Sequence, residues 1–357
     1  MEPPTFSAHH LLHTGTSLTN KRLEGRDEPI LEPDLPIIDS HHHLFDRPAL
    51  RYMLDDYLAD AGAGHRILAS VYVETLAFAR PGGPPMLRTL GEIEFANGVG
   101  AMAASGVYGD CHACAAIVGY ADLRLGAPIG DMLDRAMVLA PERFRGVRQI
   151  SIEHPSETPF RYMTHRPPVG VLTDPRFGPG VKQLADRGLS FDAAVFHNQL
   201  PDIAALADAF PHLPIVLNHV GLAMAMEMGE DERDEVFAAW ARDLRELARR
   251  PNVYCKLGGL GMPFWGFGFE NRTDSLGYKE LATAWRPYIE TAIEAFGARR
   301  CMMESNFPPD GRSCGFVPFW NAMKHITRNC SADDKAALYH RTAAQVYRIQ
   351  LPKGSQS

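Results

Sequence analysis

The chain has 357 residues, of which 45% are hydrophobic, so it can bury one large core. Its formal net charge is −7, and its lysines and arginines are scattered rather than gathered into the basic stripe that nucleic-acid binding requires. The sequence lacks the roughly 18 unbroken apolar residues of a membrane span and the apolar segment of a secretory signal. We therefore expect a cytoplasmic protein that acts on a small molecule, with no nucleic-acid or membrane partner. Homo-oligomer formation is left open.

The chain divides into three parts by composition. Residues 1–33 are polar, contain three histidines and are predicted to form a flexible N-terminal arm, while residues 351–357 are predicted to be a frayed tail. Residues 34–350 are predicted to form a single domain. Cys111 and Cys114 have the C-x-x-C spacing of redox and zinc motifs, but no second such pair accompanies them. We therefore expect reduced cysteines in the core.

From residue 35 onward, short apolar runs alternate with amphipathic segments. The predicted strands are Pro36–His43, Arg66–Glu74, Cys111–Val118, Phe144–Ile152, Leu189–His197, Pro214–His219, Asn252–Leu257 and Arg300–Asn306. The predicted helices are Met86–Ser105, Gly130–Ala140, Pro201–Ala209, Asp231–Arg250 and Lys279–Phe296. Eight strands separated by helices indicate parallel crossovers and a closed (β/α)8 TIM barrel. A doubly wound sheet is the alternative, but no G-x-G-x-x-G follows the first strand, so no nucleotide cofactor is expected.

Three consecutive histidines end the first predicted strand. Because alternate strand residues share a face, His41 and His43 are predicted to point together into the barrel, while His42 points away. Two imidazoles from one strand can bind one divalent cation. The alternative is a polar strand end with solvated histidines.

Two further histidines end other predicted strands. His219 ends the sixth strand and His197 ends the fifth, so both should lie at the barrel rim where active sites are built. A satisfied core histidine is the alternative for each. Together with His41 and His43 they would form a nitrogen-rich site suited to zinc, or to manganese with added oxygen ligands.

Five motifs together resemble one branch of the amidohydrolases. They are Asp39-x-His41-x-His43 on strand one, Phe144-Arg145-Gly146-Val147-Arg148-Gln149 on strand four, Asn218-His219-Val220-Gly221 on strand six, Lys256-Leu257-Gly258-Gly259-Leu260-Gly261 after strand seven, and Glu304-Ser305-Asn306-Phe307-Pro308 on strand eight. The branch comprises the metal-dependent hydrolases of the TIM-barrel fold, including sugar lactonases and the pyrone-dicarboxylate lactonase. The resemblance covers about residues 35 to 350. It implies an amidohydrolase-like barrel with a metal site at His41, His43 and His219, although lactonases of this branch can also work without a metal.

One residue departs from the pattern of that branch. The usual aspartate near the end of strand eight is Asn306 here, and an amide cannot take up a proton at neutral pH. Glu304 lies two residues earlier on the same strand face and is the favoured replacement base. His197 and Asp310 are alternative bases. Glu304 could instead be a buried structural carboxylate paired with an arginine or lysine.

Other candidate residues surround this rim. Arg148 and Lys256 end strands four and seven and, facing inward, could supply donors for a substrate carboxylate or an oxyanion, or form salt bridges. Glu74 on strand two is a weaker candidate for substrate binding. Trp265 and Phe267 lie in an aromatic loop that could roof the pocket, or pack against the N-terminal arm or a second subunit.

These observations favour a hydrolase. The leading hypothesis is a lactonase that opens a cyclic ester of a ring-containing carboxylic acid or a sugar acid by water attack. A metal-dependent, non-oxidative decarboxylase of an aromatic carboxylate is the second hypothesis. A non-catalytic binding protein on a decayed barrel, suggested by Asn306, is the third.

Overall fold

The fold was analysed in a computed structural model, which describes residues 28–47, 50–163, 166–274 and 276–350. The predicted tail and most of the predicted arm, with its three histidines, lie outside the described residues. The last residues of the predicted arm contact the domain, since Leu31 N donates to Asn321 Oδ1 and Lys324 Nζ donates to Glu32 O. The division into arm, domain and tail stays a prediction.

Eight parallel strands form the central sheet, and their order in space is their order in sequence. They are β1 Ile37–His42, β2 Ile67–Val73, β3 His112–Tyr120, β4 Phe144–Arg148, β5 Ser190–Ala193, β6 Ile215–Leu217, β7 Val253–Leu257 and β8 Cys301–Met303. The last strand returns to the first, because Asn306 N donates to His41 O and His43 N donates to Phe307 O, each at 2.8 Å. The predicted (β/α)8 barrel is confirmed, and it closes beside the histidine run. A two-stranded hairpin, Phe45–Arg47 with Leu50–Tyr52, follows β1.

Small and β-branched side chains fill the lower part of the barrel. Ile38, Val71, Val118, Val216 and Met302, from five different strands, belong to one buried cluster. Tyr347, near the C-terminal end of the described chain, joins the same cluster and closes the barrel from the end opposite the histidines. Because apolar side chains occupy the lower part of the barrel, an active site is expected at the upper rim.

Ten helices surround the barrel in the described part of the chain. They are α1 Leu54–Ala61, α2 Leu90–Ala103, α3 Ile129–Leu139, α4 Phe177–Ala185, α5 Leu200–Ala209, α6 Glu230–Leu247, α7 Tyr278–Phe296, α8 Phe316–Ile326, α9 Ala332–Ala336 and α10 Thr342–Val346. All five predicted helices are present. The sequence analysis missed α1, α4, α8, α9 and α10; α4 carries two glycines and a proline, and α8 is buried on nearly all sides.

Two smaller expectations can also be compared with the structure. Cys111 and Cys114 are free thiols, and Cys114 is buried, which agrees with core cysteines rather than a disulfide. In the described residues, no helix combines the length and the apolar character needed to cross a membrane.

Candidate active site

Polar side chains converge at the C-terminal rim of the barrel, where β1 ends. His41 and His43 face one another, with 3.1 Å between their Nε2 atoms and 4.8 Å between their ring centroids. His42 points the other way and stacks on Tyr57 of α1 with ring centroids 4.2 Å apart. The strand alternation predicted for the three histidines is therefore what the structure has. Burial lowers the pKa of His41 and of His43 well below the ordinary value, so both rings are neutral.

His219 and Glu304 complete the centre of the site. The ring of His219 lies 4.6 Å from that of His41, and Glu304 Oε1 accepts hydrogen bonds from the backbone N–H of His219 and from its Nδ1, at 3.1 and 2.7 Å. Glu304 Oε2 lies 2.8 Å from His41 Nδ1. Glu304 thus joins the two imidazoles, rather than pairing with an arginine or lysine as the structural alternative expected.

The strained backbone after β6 brings His219 to this place. His219 and Val220 both have φ of 52°, in the left-handed region that β-branched residues rarely occupy. Such strain is retained where the surrounding structure determines it and is common at functional sites. It turns the imidazole of His219 toward the barrel axis directly after a three-residue strand.

Two glycines after β7 leave room for these groups. A Cβ atom on Gly258 would lie 2.5 Å from Glu304 Cγ, and a Cβ atom on Gly259 would lie 2.4 Å from His219 Nδ1. Gly259 also has φ of 68°. The glycine pair in the family motif is therefore required by the volume of the His219–Glu304 pair.

Arg148 brings a cation to the same centre. Its Nε donates to Glu74 Oε1 and its Nη2 donates to the Glu74 carbonyl oxygen, both at 2.7 Å, and its Nη1 lies 3.2 Å from His41 Nε2. Desolvation raises the pKa of Glu74, while Arg148 opposes this shift. Glu74 therefore fixes the position of the Arg148 guanidinium, and Arg148 Nη1 lies beside His41.

The donor set at this centre fits a divalent cation. Among the described residues, His41, His219 and Glu304 form one group of metal-capable side chains whose ligand atoms lie within 4.8 Å of one another. His41 Nδ1 and Glu304 Oε2 are buried and have no hydrogen bond of acceptable geometry despite lying 2.8 Å apart. Two imidazoles and a carboxylate are ligands that zinc commonly takes.

The proton count around His41 leads to the same conclusion. His43 Nδ1 donates to the Val73 carbonyl oxygen at 2.9 Å, so His43 Nε2 carries only a lone pair. Neutral His41 has one N–H but faces two acceptors, Glu304 Oε2 at Nδ1 and His43 Nε2 at Nε2. Because Arg148 Nη1 can only donate to His41 Nε2, the N–H of neutral His41 lies on Nδ1, and the Nε2 lone pairs of His41 and His43 face each other at 3.1 Å, a contact that a bound cation would relieve. Partners such as the Val73 carbonyl and Glu304 are also those that orient metal-binding histidines.

Asn306 lies beside the cluster, but its side-chain amide donates a hydrogen bond to Asp310. Its Nδ2 donates to Asp310 Oδ1 at 2.8 Å, and Asp310 Oδ2 accepts from Gly261 N at 2.9 Å. Asp310 is fully buried and its pKa is raised well above the ordinary value by desolvation. The alternative base Asp310 is thus a buried acceptor in the turn after β8 and not a solvated loop carboxylate.

We expect Asn306→Asp to lower stability and to raise metal affinity. The new carboxylate would stand where Asn306 now donates to Asp310, so two acceptors would face each other at about 2.8 Å. Loss of one buried hydrogen bond costs on the order of 1–3 kcal/mol. Thermal unfolding of the metal-free protein and metal titration measure the two effects. The Asn306→Asp/Asp310→Asn double variant should regain stability, and a single variant as stable as the parent would contradict the expectation.

Lys256 lies deeper and forms the salt bridge that was the alternative for it. Its Nζ is 2.9 Å from Asp192 Oδ2 on β5, and both side chains are fully buried. Tyr347 donates its hydroxyl to the same oxygen at 2.8 Å, with its ring under the Lys256 ammonium. A direct role for Lys256 at the substrate is therefore not supported, because its charge is held by Asp192 below the histidines.

His197 lies outside the group formed by His41, His219 and Glu304, so a site of four imidazoles is not formed, while its predicted role in substrate binding stays a prediction. Its Nδ1 accepts from Met224 N at 3.2 Å, and the charged groups acting on it are His154 and Asp243, the latter on α6 outside the barrel. Strand β5 ends at Ala193, so the chain has left the sheet four residues before His197. The extended strand assumed in the sequence analysis put this residue at the wrong place.

The aromatic loop after β7 packs outward rather than over the site. Trp265 is fully buried, donates its indole N–H to Gly259 O and lies 4.9 Å from the ring of Tyr288 on α7. Phe267 stacks on Trp265 and Phe269 and also meets Tyr288. Both rings pack against Tyr288 of α7, and the substrate-binding role of Trp265 and Phe267 stays a prediction.

Comparison with known proteins decides the family. The family model described as amidohydrolase matches residues 38–349. This chain belongs to the amidohydrolase family. Uncharacterized protein y4mH of Sinorhizobium fredii is 32% identical over 88% of this chain and 99% of its own length. The L-fucono-1,5-lactonase of Burkholderia ambifaria is 28% identical over 68% of this chain and 73% of that protein.

Solved structures agree with the barrel of this amidohydrolase. An amidohydrolase from Burkholderia multivorans, determined with bound zinc, has 25% sequence identity and a TM-score of 0.66, covering 88% of this chain and 99% of that one. The predicted family and fold are therefore confirmed. Amidohydrolases are typically metal-dependent enzymes, which agrees with the donor set described above.

Some site residues escaped the sequence analysis. Val73 acts through its backbone carbonyl, which leaves no mark in a side-chain pattern. Asp192 could have been noticed, because an acidic residue inside the apolar run of β5 needs a buried partner. Asp39 was named in the sequence analysis only as part of the motif of strand one, with no role assigned. It accepts hydrogen bonds from Ser305 N and Oγ at 2.8 and 2.6 Å and so connects β1 to the segment after β8.

Proposed function

We propose that this amidohydrolase is a lactonase that opens a cyclic ester by attack of water. The observation that carries the proposal is the junction of Glu304 with the imidazoles of His41 and His219, beside the guanidinium of Arg148. A proton acceptor, neutral metal-binding nitrogens and a fixed cation are thus placed together. The likeness to L-fucono-1,5-lactonases supports ester ring opening as the reaction.

Arg148 would polarise the ester carbonyl. Two hydrogen bonds to Glu74 fix the guanidinium, so a donor directed at the carbonyl oxygen needs no reorganisation as negative charge develops there. Because the side chain is almost fully buried, this interaction acts in a medium of low dielectric constant and is stronger than in water.

Glu304 would accept the proton of the attacking water. Its Oε1 is occupied by the two donors of His219, whereas Oε2 has no hydrogen bond. An unpartnered carboxylate oxygen at the centre of the site is a suitable acceptor once water reaches it. The proton would then pass to the ring oxygen of the tetrahedral adduct as the carbon–oxygen bond breaks.

A divalent cation would be held by His41, His43 and His219, with zinc or manganese suited to this set. When bound, such an ion polarises a carbonyl group and lowers the pKa of water. Glu304 Oε1 and the Val73 carbonyl would keep the imidazoles of His219 and His43 oriented by accepting from their Nδ1 positions.

Product analysis tests the proposal against its alternatives. Metal-replete protein should open lactones from a panel of sugar lactones and ring-containing acid lactones, releasing one acid equivalent and no CO₂. Release of CO₂ from an aromatic carboxylate with the ring retained would instead indicate the decarboxylase. Absence of turnover across both panels would favour the binding protein. Elemental analysis of protein purified without added metal accompanies the assay.

A further inference from the structure

Arg312 is a partly buried arginine that has no hydrogen bond or ion pair among the residues described by the structure. Other shielded arginines of the chain are paired: Arg148 with Glu74, Arg124 with Asp122, and Arg300 with backbone carbonyls. Removing a guanidinium from water without giving it a partner is unfavourable. A charged group held in this way therefore indicates a partner that comes from outside the chain.

Arg312 lies in a loop of the catalytic rim, and groups of two other rim loops act on its charge. It ends the short helical turn Pro309–Arg312 after β8, and the titratable groups that act on it are Tyr162 and Glu270. Tyr162 belongs to the turn Thr158–Tyr162 in the loop after β4, and Glu270 to the turn Phe269–Asn271 in the loop after β7. These are βα loops, which surround the mouth of a TIM-barrel active site.

The turn that carries Arg312 is anchored to the site itself. Asp310, two residues earlier, accepts from Asn306 and from Gly261, and Ser313 donates its hydroxyl to Gly261 O at 2.5 Å. The backbone on both sides of Arg312 is therefore fixed relative to the ends of β7 and β8. An arginine on such a support is preorganised for a ligand in the mouth.

The neighbours of Arg312 do not neutralise it. Glu270 lies outside ion-pair distance of Arg312, and its Oε1 accepts from Asn271 Nδ2 at 3.0 Å. Desolvation lowers the pKa of Arg312, although the guanidinium stays protonated. The N–H donors of the Arg312 guanidinium are therefore available to a ligand.

We propose that Arg312 binds a carboxylate that the substrate carries in addition to the ester that is cleaved. This inference rests on the proposed lactonase function and deepens it, because it names the substrate class as lactones of dicarboxylic acids. The planar guanidinium would hold that carboxylate through two parallel hydrogen bonds. Arg148 would act at the carbonyl group inside the barrel, and Arg312 at the opposite end of the molecule in the mouth.

Matched lactones test the assignment. Each pair contains a sugar lactone and its counterpart with the terminal hydroxymethyl group oxidised to a carboxylate, such as D-glucono-1,4-lactone and D-glucaro-1,4-lactone. The parent enzyme should favour the carboxylate member. Arg312→Gln should reduce kcat/KM for that member by about 10- to 100-fold, mainly through KM, the size expected for hydrogen bonds to a charged group. The neutral member should be unaffected.

Two further variants separate recognition from structure. Arg312→Lys keeps the charge but loses the paired donors, so it should restore only part of the preference. Arg272→Gln is the matched control, since Arg272 is an exposed arginine of the loop after β7 that pairs with Asp274. Equal losses on both members of a pair, or a parent enzyme that favours the neutral member, would overturn the proposal.

A binding measurement keeps the inference separate from the reaction. If no lactone is opened, calorimetry with isophthalate and benzoate replaces the assay, since the two differ by one carboxylate. Isophthalate binding that Arg312→Gln weakens by about 10- to 100-fold, with benzoate unchanged, would support the carboxylate site and reject only the lactonase function. Failure of isophthalate to bind, or binding that the substitution leaves unchanged, would reject the assignment of Arg312.

Discussion

His41→Ala is expected to reduce kcat/KM on the order of 10³-fold or more, because groups that act as a unit fail together. The His41 ring contacts the rings of His43 and His219, and its two nitrogens approach Arg148 and Glu304. Within the described part of the chain, no other side chain at the rim contacts all four groups. Its loss would remove a metal-binding nitrogen together with the contacts that Arg148 and Glu304 make with the ring.

Steady-state kinetics together with thermal unfolding would measure this effect. The melting temperature should change little, because His41 cannot satisfy both acceptors that face it and so contributes little hydrogen-bond energy. His212→Ala is the control, since His212 is exposed and lies away from the rim. If His41→Ala turned over substrate as fast as the parent enzyme, the assignment of the active site to this histidine cluster would be wrong.

Glu304→Gln should lower kcat by a factor on the order of 10² to 10⁴ if Glu304 accepts the proton of the attacking water. The amide keeps the volume of the side chain and an oxygen for the His219 donors, but it cannot take up a proton. KM should change much less than kcat, because the ester is held by Arg148. Metal content measured on the same samples shows whether a loss of rate follows a loss of the ion.

A second buried glutamate offers a control for Glu304. Glu92 on α2 accepts from Tyr72 Oη, Thr75 N and Thr75 Oγ1, outside the barrel interior. Glu92→Gln should therefore lower the free energy of unfolding and leave kcat intact. If Glu304→Gln behaved in the same way, with a lower melting temperature and less than a tenfold loss of rate, Glu304 would be structural.

The barrel and its rim followed from local pattern. Eight apolar strands, each separated by a helix or loop, have few ways to close, and the predicted order and class are those of the structure. Strand alternation also separated His41 and His43 from His42 correctly, although His43 lies one residue beyond the end of β1. Errors began where the strands stop: β5 ends at Ala193, and His197 followed the chain away from the rim.

The partners of each charged residue were decided only by the tertiary structure. The sequence placed Glu304, Arg148 and Lys256 near the ends of their strands and left open whether each would act on the substrate or form a salt bridge, because a buried carboxylate can pair with any cation or imidazole near it. The structure pairs Arg148 with Glu74 and Lys256 with Asp192, which leaves Glu304 to the histidines.

The amino-acid sequence by itself determined the family, the barrel and the two histidines of the first strand, because these depend on short-range periodicity and on motif spacing. Only the tertiary structure decided which loops turn toward the mouth. It packed Trp265 and Phe267 against Tyr288 of α7 and left Arg312 without an ion pair among the residues that the structure describes. Loop direction depends on contacts between residues far apart in the chain, and no local pattern encodes those contacts.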